Sequence, residues 1–344
     1  MSDYQPWVVL SDGAEPTEDI YFYATASPWL EAELSISSTK LHTKRWYLPK
    51  RMALSKLTGA NILICRSLAP AWLNLLESTR NQLGGIYYLI DDDLSAAVTT
   101  EELPESYRQR LGKISIEQQP RILALADEVV ATSQHLVDRF KHRHGRVSLL
   151  TPPLLTPLPT LEHFKTQPPR IGYYGTRAHL QDLNQIAPAI ERIHQQHPNT
   201  RLEVMLGKHT PGRLQNLERL TALPPLPWNK FLTYQGQRRI QIGLAPLWGS
   251  DFNQGKSHIK FLDISIMGGI GVYSRRSPYE EIVKHGVDGM LAGDDPEEWY
   301  QCISYLIDHP NEASSMAAAA AKKAQMLGNP SIACQFWLER SKAG

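Results

Sequence analysis

Lys256 and Lys260, with Asp263 three residues further on, are the densest chemical signal in the chain. Residues four apart share one face of a helix. Two ammonium groups near a helix N-terminus suit a diphosphate, because the dipole and the side chains add. Asp263 would then accept hydrogen bonds from ribose hydroxyls. The same spacing also describes a solvated basic face with an i,i+3 ion pair. The loop ahead carries Gly249, Ser250, Asn253 and Gly255, all suited to turns. Its place after a buried strand and before an apolar helix favours the diphosphate.

Two more loops have comparable character. Gly172, Gly175, Thr176 and Arg177 end one strand and precede a helix. Free N–H groups and a guanidinium there would suit a phosphate, although a structural turn reads equally well. The run 275–282 contains Arg275, Arg276, Ser277, Pro278 and Tyr279. It follows a strand and opens a helix with proline early. In the first half, Asp91, Asp92 and Asp93 end a strand. They could bind Mg²⁺, hold an acceptor hydroxyl as general base, or cap the next helix, and a capping and charge-solvation role is expected for at least two of them.

Other chemistries lack support. Neither GxGxxG nor GxxxxGK[ST] spacing occurs, and there is no HExxH or Gly-x-Ser-x-Gly. Cys65, Cys302 and Cys334 form no CxxC pair, and they read as reduced packing residues of a cytosolic protein. With 36 Lys+Arg against 35 Asp+Glu, no basic excess points to nucleic acid. The polar N-terminus is not a signal peptide, and no apolar run approaches the ~20 residues that span a bilayer. The basic stretch 40–51 (Lys40, Lys44, Arg45, Lys50, Arg51, with Trp46 and Tyr47) reads as an exposed face or as a contact with anionic lipid.

The elements that must position these loops alternate. Strands are expected at 19–24, 61–65, 85–90, 126–132 and 147–150, with helices at 70–77, from about 104, and at 134–140 behind an N-cap at Ser133. The segment 151–169 holds six prolines, so no helix or central strand is expected there, and it reads as an inter-domain linker. Beyond it come strands at 170–175, 202–207, 240–245 and 271–274. Helices follow at 180–194, 260–267, 278–285, 296–309 and 311–325. Strand and helix alternation implies parallel sheets. The expected domains are 1–160 and 161–330, with 331–344 as a last helix.

As a set, Ile171 to Arg177, 242–247, 252–263, 268–274, Pro278-Tyr279 and 286–291 resemble the nucleotide-sugar domain of GT-B glycosyltransferases, specifically the retaining family 4 group. More weakly, 85–92 and 126–133 resemble the acceptor-side domain of members that build surface polysaccharides. The resemblance implies an α/β chain of GT-B architecture, two Rossmann-like domains with parallel sheets facing across a cleft. It implies a cytoplasmic enzyme, possible at the inner face of a membrane, moving a sugar from a nucleoside diphosphate to a glycan or lipid-linked acceptor with retention. No metal or other cofactor and no nucleic acid would take part. Carried over by position, Lys256, Lys260 and Asp263 would be catalytic. Gly175, Thr176, Arg177, Asn253, Ser257, Ser277 and Tyr279 would bind the donor, with Asp91 and Asp92 on the acceptor side. The last helix would cross back to the first domain. One departure stands out. The family usually carries two glutamates eight residues apart, and here the positions hold Gly255 and Asp263. That departure leaves open a non-catalytic protein binding a nucleotide sugar or a partner enzyme.

Overall fold

The structure is a computed structural model and describes residues 4–13, 16–43, 50–166 and 168–342. The chain forms two compact units. The first comprises Met1–Leu155, Gln254–Ser257 and Asn329–Gly344, and the second Thr156–Asn253 and His258–Gly328.

The first unit is built on β1 (Trp7–Ser11), β2 (Ser38–His42), β3 (Asn61–Cys65), β4 (Ile86–Ile90), β5 (Glu128–Ala131) and β6 (Val147–Leu149). They form one sheet in the order β2-β1-β3-β4-β5-β6. Every pairing is parallel, with Val9 opposite Leu63 and Tyr87 opposite Glu128. β1, β3, β4 and β5 are buried throughout. Strands covered on both faces read as continuous apolar runs, which is why 61–65 and 85–90 are visible in the sequence. Chain direction across the sheet reverses between β1 and β3, a topological switch point of the kind that binds ligands at strand ends.

Residues 19–24 are not a strand. Asp19–Tyr23 is a π-helical turn whose Ile20, Tyr21 and Phe22 are buried. A short apolar run has no periodicity that separates the two. Trp337, from the helix Pro330–Ser341, is fully buried against Trp7, Phe22 and Tyr87. Its indole donates to the Tyr21 carbonyl at 2.7 Å.

The second unit holds β7 (Arg170–Tyr173), β8 (Arg201–Val204), β9 (Leu220–Ala222), β10 (Ile242–Ala245), β11 (Ile270–Ser274) and β12 (Met290–Ala292). Their order is β12-β11-β10-β7-β8-β9, again all parallel. Counted from β7, this is the 3-2-1-4-5-6 order of dinucleotide-binding sheets, with the switch point between β7 and β10. The α/β class with two Rossmann-like parallel sheets is therefore what the chain adopts.

Two expectations need correction here. The proline-rich stretch contains a short helix, His163–Thr166, anchored where His163 Nε2 bonds the Ile240 carbonyl at 2.9 Å. The helix expected over 278–285 is only Tyr279–Ile282, because Val283 is extended and Asp288 takes the Lys284 N–H. The sequence reading also leaves β1, β2, β9, β12 and the helix Trp228–Gln237 unassigned. No helix among the described residues is long and apolar enough to cross a membrane. Of the basic stretch, Lys40 is paired with Glu18 and Asp19 at 2.9 and 3.0 Å. Lys44, Arg45, Trp46 and Tyr47 lie outside the described residues, as do the side chains of Lys50 and Arg51.

Candidate active site

At the switch point of the second unit, three loops follow β7, β10 and β11. The first runs through Gly175, Thr176 and Arg177 into the 17-residue helix Leu180–Gln196. Gly175 is required sterically, since an added Cβ would lie 2.5 Å from the Tyr173 hydroxyl. Thr176 and Arg177 are exposed, and Arg177 makes no ion pair among the described residues. A free guanidinium beside a helix N-terminus is an anion-binding arrangement.

The second loop is fastened to the first by a residue the sequence reading overlooks. Asp182, buried in the first turn of that helix, accepts from the Trp248 N–H at 2.5 Å and from the Asn253 amide at 2.9 Å. Its other oxygen contacts His179 Nδ1 at 2.7 Å. Asn253 also donates to the Trp248 carbonyl, so its amide shapes the loop. The loop-fastening role of Asp182 had no local signal, because the loop partners lie 66 and 71 residues away.

The third loop meets the second at Gly249, where a Cβ would stand 2.4 Å from Arg276 Nη1. Arg276 pairs with Asp294 at 2.5 Å, and Ser277 donates to Glu281 at 2.6 Å. Tyr279 is a core residue, 1% exposed, with its ring 4.9 Å from Tyr273. Burial pushes its hydroxyl well above the usual range. Its side chain therefore faces the core instead of a ligand.

Lys256 and Lys260 do not share a helical face. The helix is Ile259–Ile266 with His258 at its N-cap position, so Lys256 precedes it in the loop. Lys260 forms the i,i+3 pair with Asp263 at 2.9 Å, and the other Asp263 oxygen accepts from Gln235 at 2.7 Å. His258 is buried, and burial lowers its imidazole to about 4. Its Nε2 has no hydrogen-bond partner among the described residues. In the unfolded chain the imidazole takes up a proton near 6.5. Its contribution is thus complete above pH 6.5 and is lost as pH falls toward 4, by up to about 3 kcal/mol. Urea titrations between pH 7 and 4 should show a shallower decline for His258→Gln than for the parent, and parallel curves would refute the assignment.

Residues Gln254–Ser257 pack within the first unit. There Lys256 Nζ pairs with Asp92 Oδ1 at 2.6 Å, and Arg66 Nη2 reaches Asp92 Oδ2 at 2.9 Å. Arg66, in the left-handed region with φ +60°, also sits 3.3 Å from Asp91. Asp91 accepts from Thr17 at 2.5 Å. Burial raises the Asp91 carboxyl against the pull of Arg66. The Gly255 carbonyl accepts from Ser133 at 2.9 Å, and the Tyr21 hydroxyl donates to Ser257 at 3.4 Å. Of the three aspartates only Asp93 caps a helix, accepting from the Ala96 N–H at 3.0 Å. Asp91 and Asp92 are held in ion pairs instead of capping the helix. No cluster of His, Cys, Asp and Glu suited to a metal occurs among the described residues.

The structure thus collects Gly175, Thr176, Arg177, Asn253, Ser277 and Tyr279 at one end of the second sheet. Asp91, Asp92, Lys256 and Ser257 belong to the first unit. No protein-family model matches the chain, and no curated protein does. Solved structures do. Sucrose-phosphate synthase from Thermosynechococcus elongatus is 14% identical with a TM-score of 0.66, over 97% of this chain and 98% of that one. HepE of Anabaena, in complex with UDP and glucose, is 12% identical with a TM-score of 0.67, over 98% and 99%. A glycosyltransferase from Rickettsia africae is 11% identical with a TM-score of 0.62, over 97% of each chain. At these identities the similarity establishes architecture: the chain has the two-domain GT-B fold that these structures share.

Proposed function

We propose that this chain is a retaining glycosyltransferase of the family 4 type, transferring a sugar from a nucleoside diphosphate to an acceptor hydroxyl in surface polysaccharide or glycoconjugate synthesis. The observation that carries it is the 3-2-1-4-5-6 sheet of the second unit, whose switch point bears an exposed Arg177, without an ion pair among the described residues, beside a helix N-terminus. The HepE structure with UDP and glucose supports a uridine diphosphate sugar as donor. Arg177 and the N–H groups of the Gly175 loop would hold the diphosphate. Lys260 and Lys256 would meet the negative charge that builds on the leaving group, each exchanging a carboxylate partner for phosphate. Asp263 would accept from the ribose in place of Gln235. Asp91 and Asp92 would serve the acceptor side. Cationic side chains and helix N-termini supply the stabilisation that a metal gives elsewhere, so the reaction is proposed to need none. We place the enzyme in the cytoplasm, at the inner face of a membrane when its acceptor is lipid-linked.

A second reading has specific support. Gly255 replaces a family glutamate, and Lys256, Lys260 and Asp263 all have carboxylate or amide partners here. A chain that binds a nucleotide sugar without turnover would show these features. Incubation with UDP-sugars and oligosaccharide acceptors separates the two. Transfer supports the enzyme, while stabilisation by UDP without transfer or hydrolysis supports the binder.

A further inference from the structure

We infer that the second unit carries an anion site for a phosphate or phosphomonoester at the end of its sheet opposite the β7, β10 and β11 loops. A cavity of about 580 Å³ opens at the N-terminal ends of β7, β8 and β9. Arg170, Arg201 and Arg219 line it against a single carboxylate, Glu218. Arg170 and Arg201 are direct register partners, and like charges facing each other across a ladder repel. The nearby Glu203 relieves Arg170 alone, and shares its carboxylate with three other donors. It is buried and accepts from Tyr174 at 2.6 Å, from Tyr234 and from Arg238, with Arg170 Nη1 at 3.4 Å. Arg201 is exposed and makes no ion pair among the described residues. Arg219 donates to the His194 carbonyl through Nη2, and its Nε is buried without a partner among the described residues. Asn199 and Thr221 add neutral donors to the same lining.

Arg201 without an ion pair among the described residues, facing an Arg170 that shares one buried carboxylate with Arg238, a third guanidinium with an unused buried donor and two neutral donors match a compact dianion with several acceptor oxygens. The site lies away from the donor loops and does not depend on the glycosyltransferase reading.

Calorimetry on the full chain at physiological ionic strength tests it, with inorganic phosphate and glycerol 3-phosphate as probes. Binding of either is expected. Tighter binding of glycerol 3-phosphate marks a phosphomonoester site, and equal binding marks free phosphate. Because Arg201 is exposed, Arg201→Ala should fold normally and bind at least about tenfold more weakly, with Arg201→Lys intermediate. Arg177→Ala should bind like the parent. No binding up to about 10 mM, equal binding by Arg201→Ala, or loss of binding in Arg177→Ala would each overturn the proposal.

Discussion

Replacing Trp337 with alanine is expected to destabilise the first unit by about 3–5 kcal/mol. The indole is fully buried and stands edge-on to Trp7 and Phe22 at 5.2 and 5.4 Å. Truncation removes those contacts and leaves a cavity that the surrounding rings cannot fill. It also strands the Tyr21 carbonyl, which takes the indole N–H at 2.7 Å, and an unsatisfied buried acceptor adds its own cost. Urea unfolding followed by far-UV circular dichroism should show the loss in the transition of the first unit, with Trp337→Phe affected less. A shift under about 1 kcal/mol would mean that the helix Pro330–Ser341 contributes little to that core.

The second large effect concerns turnover. Lys256→Ala is expected to lower the rate by about 10²–10³-fold, the usual cost of removing one preorganised group facing a developing charge. The variant should stay folded, because Arg66 still neutralises Asp92 at 2.9 Å. Arg177→Ala should show a comparable loss, and its exposure leaves no packing to disturb. Steady-state kinetics with the donor identified from a UDP-sugar panel, alongside thermal melts, separates catalytic loss from unfolding. Normal turnover by either variant would remove that residue from the diphosphate assignment.

How far the sequence alone reaches depends on where each interaction closes. β3, β4, β7, β10 and β11 are legible because a strand covered on both faces must be apolar throughout. β9 and β12 are three residues each, too short to show alternation. The Asp19–Tyr23 turn reads as a strand because four successive apolar and aromatic residues carry no period, and packing against Trp337 decides the matter. At the site, the glycine-bearing strand ends at Gly175 and Gly249 are visible locally. The pairings are not. Asp92 with Lys256 spans 164 positions and Asp182 with Asn253 spans 71. The shared helical face of Lys256 and Lys260 fails for a related reason. The chain at 254–257 packs with the first unit, and the helix begins only at Ile259.

The most direct test of the nucleotide-sugar assignment is calorimetric titration of UDP into the parent and into Arg177→Ala under identical conditions. One saturable site is expected in the parent, with at least about tenfold weaker binding in the variant. Saturable binding of equal strength in both proteins, or none in the parent, would contradict that assignment.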